Sequence, residues 1–212
     1  EHGRANDQQH AHAVRAMADC ERTANELDER VAEWGGSRYG ESKSGVAYAR
    51  ALADRGTTDT ADRALRSLAE RVVAVDDEAD ELRAYIERTA PAVAPTLSML
   101  AGPVLAARLI SLAGGLEALA KKPSGTVQVL GAEDALFAHL RGNAPSPKHG
   151  IIFTHEYVSG TRREERGSAA RALAGKLSIA ARIDHYSGDR RPELQAELDE
   201  RIDRIRRRGD GE

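Results

Sequence analysis

Both phenylalanines of this 212-residue chain and three of its seven histidines fall in one stretch, GAEDALFAHLRGNAPSPKHGIIFTH, at residues 131–155. Glu133 and Asp134 there are adjacent carboxylates, the raw material of a general acid–base pair. Neighbours on a helix point about 100° apart, however, so these two are poorly placed to share a proton. His149 and His155 lie six residues apart, and His2, His10 and His12 crowd the start of the chain. Neither histidine group is accompanied by the cysteine or acidic ligands of a metal site. The single cysteine, Cys20, has no partner for an internal disulfide and reads as a small packing residue. There is no phosphate-loop Gly-Lys-Ser/Thr pattern, no nucleophile elbow and no His-Glu-x-x-His. The residues therefore point away from an enzyme, a metal or a cofactor.

Charge points to a different chemistry. Residues 1–95 carry 13 Lys/Arg against 19 Asp/Glu, whereas residues 121–191 carry 12 against 7. The basic surplus coincides with the unusual stretch, and clustered positive charge is the footprint of an anionic partner. A solvated helix face is the competing explanation on charge alone.

The elements that must hold these residues are helical. Hydrophobic residues make up 41% of the chain but aromatics only 4%, and Ala, Arg, Leu and Glu dominate. That composition favours an all-α fold packed by aliphatic side chains. Val14, Met17, Thr23, Leu27, Val31 and Trp34 recur at helical spacing, and GGSRYGESKSG, with four glycines, then breaks the pattern. GTTDTAD offers caps for a longer helix carrying Leu65, Leu68, Val72, Val75, Ala79, Leu82 and Ile86 at alternating steps of three and four. Two antiparallel helices, about 8–40 and 58–90, are expected to bury these stripes against each other as a coiled-coil arm over residues 1–90, its tip made by the glycine-rich break and Val46–Arg55.

Charge then nearly vanishes. Residues 96–120 contain only Arg108 and Glu117, so the helices around VLAARLISLAGGLEALA are expected to be the core of a second, globular domain over 91–212, with Arg108 paired if buried. Gly114-Gly115 reads as one helix ending and another starting. SGTVQVLG resembles a strand by its β-branched residues but is short and lies between helical patterns. AEDALFAHLRG reads as a helix with Leu136, Phe137 and Leu140 inward. Ala170, Leu173, Ala174, Leu177, Ala180 and Ala181 define a closely packed small-residue helix, and Pro192 opens a last helix with Leu194, Leu198, Ile202 and Ile205 inside. No apolar run approaches the roughly 20 residues of a membrane span, and nothing resembles a signal peptide; the reading expects a cytoplasmic protein with no membrane contact.

LAARLISLAGGLEALAKKPSGTVQVLGAEDALFAHLRGNAPSPKHGIIF, with ARALAGKLSIAARID after it, resembles the Nop domain of archaeal and nucleolar box C/D ribonucleoprotein scaffolds and a related spliceosomal protein. The likeness covers roughly residues 91–190. The heptad helix ending in VAPTLSMLAGP, with ANELDERVAEWGG before it, resembles that family's coiled-coil arm. The resemblance implies an antiparallel arm followed by a globular helical Nop domain, and a non-enzymatic scaffold in guided RNA 2′-O-methylation. Such a scaffold recognises a kink-turn RNA only together with a ribosomal-type protein already bound to it.

On that resemblance Gly131, Ala132, Glu133 and Phe137 lie along the boundary with RNA and partner protein. Lys148 supplies a phosphate charge and His149 a stacking plane, on a loop stiffened by its prolines; Arg163, Arg166 and Arg171 add phosphate contacts. The IIF trio returns to the core. Leu65, Leu68, Val72, Val75, Leu82 and Ile86 would serve self-association. Asp134 and Ser168 stand where the family usually has lysine, which weakens nonspecific attraction to RNA. About 23 residues precede the ANELDERVAEWGG motif, too few for the family's N-terminal domain, so the methyltransferase fibrillarin would be a partner only if that domain were supplied elsewhere. The alternative is a coiled-coil adaptor whose Nop-like module no longer binds RNA.

Overall fold

The computed structural model describes residues 2–133, 145, 147–189 and 191–208, with side chains from Gln8 onward. All regular elements among the described residues are helices: α1 His2–Tyr39, α2 Val46–Ala53, α3 Thr60–Val93, α4 Pro95–Ala101, α5 Pro103–Ala113, α6 Leu116–Lys121 and α7 Ser124–Val129. A 3-10 turn at Ile151–Thr154 follows, then α8 Glu156–Ser159, α9 Arg166–Tyr186 and α10 Glu193–Arg208. The fold is all-α. Asp134, Leu136, Phe137 and Leu140 lie outside the described residues. Among the described residues no single helix is long and apolar enough to cross a membrane.

Two compact units form, His12–Tyr85 and a second comprising residues 1–11 with Ile86–Glu212. In the first, the heptad pattern sets the packing. Met17, Ala24 and Val31 on α1 and Leu65, Val72 and Ala79 on α3 are buried, each one heptad from the next. Leu68 and Val75 are only half-buried. The antiparallel sense is fixed by Arg83 Nη2 donating to Glu21 and Arg38 Nε to Asp62 Oδ1 at 2.9 Å.

Two inward positions on α1 differ from the sequence reading. Thr23 is exposed and Ala24 is inside; Trp34 is 39% exposed and Gly35 is buried. At Gly35 the cause is Tyr48 on α2: a Cβ there would stand 2.5 Å from the Tyr48 hydroxyl. Gly35 is thus a socket for a tyrosine rather than a break, and α1 continues to Tyr39. The tip is closed by Asp62, only 4% exposed, which accepts from the Thr58 hydroxyl and backbone N–H, Arg38 and Tyr39. Those donors, the Thr58 hydroxyl first, hold its carboxyl far below the usual range.

The second unit is organised around α9. Its Ala169, Ala170, Leu173, Ala174, Leu177, Ala180 and Ala181 are buried, so neighbouring helices approach closely on small side chains. Pro95 and Pro103 occupy first-turn positions of α4 and α5, where their missing N–H costs nothing. Asp184 on α9 caps α4, accepting from Thr96 N at 2.9 Å and Leu97 N at 2.7 Å. Gly114, at φ 89°, ends α5 in the left-handed conformation, and α6 starts after Gly115. SGTVQV is a single helical turn and a half, not a strand. Arg108 is half-buried rather than enclosed. Ile86 is buried here, and His10 Nε2 meets Thr89 Oγ1 at 2.7 Å. Leu194, Leu198, Ile202 and Ile205 bury one face of α10.

Candidate RNA-contacting face

The segment after residue 147 is pinned to the end of α7 by two backbone bonds and one side chain. Gly150 N donates to Gln128 O and Ile151 N to Leu130 O, both at 2.8 Å, while Gln128 Nε2 donates to the Lys148 carbonyl at 2.7 Å. A Cβ at Gly150 would lie 2.1 Å from the Leu130 carbonyl oxygen. Only glycine permits that approach, which gives the glycine of Pro-Lys-His-Gly its physical reason. On the opposite side of this junction Gly131 adopts φ +88°, and its N–H donates to Glu133 Oε1 at 2.9 Å. The Gly131-Ala132-Glu133 turn therefore sits directly against Ile151.

Of the IIF trio, Ile152 is fully buried and Ile151 half-buried against the core, but Phe153 is 37% exposed. That corrects the expectation that all three turn inward. Phe153 instead faces the histidine four residues before it. The His149 and Phe153 rings stack with centroids 4.6 Å apart and planes 22° from parallel. The Arg166 guanidinium lies over the Phe153 ring at 5.3 Å. Lys148 is exposed, and its aliphatic stem passes Gly167, where a Cβ would stand 3.8 Å from Lys148 Cδ. Lys148, His149, Phe153 and Arg166 thus converge at the start of α9.

Arg166 is more than a surface charge. Its Nε donates to the Thr161 carbonyl at 3.0 Å and its Nη2 to the Ser159 carbonyl at 3.3 Å, tying the 159–161 turn to α9. Arg163 is exposed in the turn before α9, beside Glu164 and Glu165, which offset its charge. Arg171 belongs to another surface. Five residues advance a helix by about 500°, so it lies roughly 140° round from Arg166, in a groove between α9 and α10.

The histidines divide by role. Burial pulls His149 below its ordinary pKa, with Arg166 and Lys148 adding to the effect, so its ring is neutral near pH 7. His155 caps α8: Nδ1 accepts from Tyr157 N at 3.0 Å and Nε2 lies 3.0 Å from Leu100 O. Those bonds require the proton on Nε2 and occupy both nitrogens. Burial also lowers the His155 pKa. Behind the face, Tyr157 donates to Asp199, which also accepts from Gln195, and burial and then that carboxylate push its hydroxyl up to about 12. Arg206 bonds Glu156 and Thr161, locking α10 under the turn.

Phe153 and Gln128 were not singled out by the sequence reading. The sequence carries no periodic signal for the His149–Phe153 pair, because the 3-10 turn begins only at Ile151 and Gly150 between them is not helical. The arrangement offers an aromatic step flanked by cations, a form suited to contact with a base and its phosphates.

The chain is similar to known proteins over most of its length. The Nop family, described as "snoRNA binding domain, fibrillarin", matches residues 4–206. An uncharacterized NOP5 family protein of Methanocaldococcus jannaschii is 49% identical over 140 residues, 66% of this chain and 34% of that protein. Nucleolar protein 56 of Dictyostelium discoideum is 41% identical over 139 residues, 65% of this chain and 26% of its own length. The human nucleolar protein 56 is 42% identical over 123 residues, 58% of this chain and 21% of its own. The chain therefore spans about a third or less of these curated relatives. Among solved structures, a fibrillarin/Nop5p complex matches with a TM-score of 0.67 at 25% identity, over 94% of this chain and 69% of that one. A family match running almost end to end, on a fold shared with Nop5p, decides the assignment: this chain belongs to the Nop family.

Proposed function

We propose that this chain is a non-catalytic RNA-binding scaffold of a box C/D-type guide ribonucleoprotein, acting in RNA 2′-O-methylation. It recognises a kink-turn RNA together with a ribosomal-type protein already bound to it. The observation that carries the reading is the convergence of Lys148, His149, Phe153 and Arg166 at the start of α9. Two stacked rings present a plane for an unpaired base, and the flanking cations present charge for its phosphates. The Gly131-Ala132-Glu133 turn, joined to the same loop through Leu130 and Ile151, supplies the edge for the protein partner. Methyl transfer belongs to fibrillarin, a separate protein that an N-terminal scaffold domain would recruit.

The local charge surplus is small because Glu164 and Glu165 share the turn with Arg163. Bare RNA should therefore bind only at the roughly 10⁻⁴–10⁻⁶ M level of nonspecific contacts. Gel-shift titration of a kink-turn RNA, with and without the ribosomal-type protein, tests the reading. The occupied RNA is expected to bind at least ten times more tightly. Equal affinities would remove the composite-surface mechanism and favour a protein–protein adaptor.

A further inference from the structure

We propose that the groove between α9 and α10 is a second RNA contact, gripping the phosphate backbone of a strand that continues beyond the element held at the Lys148–Arg166 face. This rests on the RNA-binding reading above. The groove is lined on α9 by Arg171 and Lys176 and on α10 by Arg201, Arg204 and Arg208, against only two carboxylates, Glu197 and Glu200. Both acids are engaged: Lys176 bonds Glu197, and Arg204 lies 3.6 Å from Glu200. Among the described residues neither Arg171 nor Arg201 forms an ion pair, although exposed acids are abundant elsewhere in the chain.

On α10, Arg201, Arg204 and Arg208 advance by three and four and so lie along one helix face, facing Arg171 across the groove. Lys176 reaches in from the side of α9 to bond Glu197. The stripe Leu194, Leu198, Ile202 and Ile205 is buried against the core, and Arg201, Arg204 and Arg208 flank it as exposed side chains along the groove. At the floor, Gly175 leaves open space where a side chain would stand, and Ile179 is 38% exposed. A chain can therefore lie in the channel with its phosphates reaching both walls. Four of the five cations are arginine, whose planar fork matches phosphate oxygens and keeps its charge at any physiological pH. Along α10 as a whole acids and arginines are equal in number, but the side chains that line the groove are five cations against two carboxylates, so the charge is sorted toward it.

The test uses the full chain carrying Arg171→Gln with Arg201→Gln. Both side chains are exposed, so its melting temperature should match the parent. The probe is a kink-turn RNA, occupied by the ribosomal-type protein, with either a short or a long flanking strand. On the long RNA, the double variant should bind at least several-fold more weakly, and its log K against log salt should flatten by about 1.4–1.8 units for two lost phosphate contacts. On the short RNA it should match the parent. Parent binding to the long RNA that the double variant retains in full overturns the groove and leaves the loop reading standing. Absence of parent binding to either RNA sinks both. A variant that keeps RNA affinity but loses self-association shows a groove made for the acidic arm of a second copy, which also overturns the proposal.

Discussion

Lys148 and His149 are sequence neighbours with different physics, and substitution should separate them. Lys148 is exposed, and among the described residues its stem lies beside Gly167 and its carbonyl accepts from Gln128, so Lys148→Ala should leave the melting temperature unchanged. On occupied kink-turn RNA it should flatten the salt dependence by about 0.7–0.9 units, one phosphate's worth. His149→Ala removes a stacked ring and should lower stability by about 0.5–1.5 kcal/mol. If the stack is the plane for a base, it should also weaken RNA binding by roughly 1–3 kcal/mol without altering the salt slope. His149→Phe should restore both; full RNA affinity in the alanine variant would reduce the loop to a structural turn. His155 makes a pH prediction. Its pKa is lowered in the fold, so below about 6.5, the ordinary histidine value, the unfolded chain takes up the proton first. Stability should therefore fall as pH drops from about 6.5 and level off below the folded pKa. His155→Asn, which keeps an acceptor for Tyr157 N, should be less stable at pH 8 but show a shallower decline on acidification. Urea denaturation between pH 5 and 8 reads both effects; an unchanged decline would assign the acid sensitivity to His149 instead.

At the scale of elements, Gly35 shows a tertiary contact overriding a local rule. Ala normally stabilises a helix interior by about 0.8–1.0 kcal/mol over Gly. Gly35→Ala should instead be neutral or destabilising, because the new methyl meets the Tyr48 hydroxyl and ring edge. Tyr48→Phe in the same chain removes the closest atom and should recover part of the expected gain. Additive thermal shifts in that double-mutant cycle would mean that the two residues do not touch. The same contact explains what the sequence could and could not disclose. The heptad steps on α3 and the small-residue stripe on α9 were legible because period alone assigns a helical face. So were the Pro192 boundary, which rests on a missing N–H, and the Gly114 stop, which rests on positive φ. The helix runs to Tyr39, close to the expected residue 40, but Trp34 rather than Gly35 reads as inward because the glycine's partner, Tyr48, lies on another helix, thirteen residues away. The β-branched residues of α7 were ambiguous because a six-residue segment carries too little period to choose between helix and strand. The loop was recognisable by its residues, but the Phe153 orientation was not: which of three consecutive apolar side chains turns outward is set by the 3-10 geometry and by His149.

At the scale of the whole molecule, self-association must use what the fold leaves uncovered. Leu65, Val72 and Ile86 are buried within a single chain, so of the six stripe residues only Leu68, Val75 and Leu82 retain surface for a second copy. Three half-exposed aliphatics at alternate heptad positions form a narrow seam, weaker than a full a/d stripe. The seam also runs past Asp76, Asp77, Glu78, Asp80 and Glu81, in a unit carrying 11 Lys/Arg against 16 Asp/Glu. Arg50 engages Asp76 and Asp77, yet burial, Asp80 and then Asp77 still raise the Asp76 pKa, a sign of crowded negative charge. Bringing two such faces together therefore opposes apolar gain with like-charge repulsion, and the repulsion is screened within about 10 Å at 0.1 M salt and 3 Å at 1 M. We expect a monomer–dimer equilibrium that shifts toward dimer as salt rises, the reverse of an association driven by opposite charges. Light scattering at micromolar to about 100 μM protein should show mass moving from 22.9 kDa toward twice that value as sodium chloride increases. Leu68→Gln, Val75→Gln and Leu82→Gln together should hold the protein monomeric at every salt concentration while preserving helicity, because the fully buried heptad positions are untouched. A dimer that survives this triple variant, or one that dissociates as salt is added, would place the contact elsewhere on the molecule.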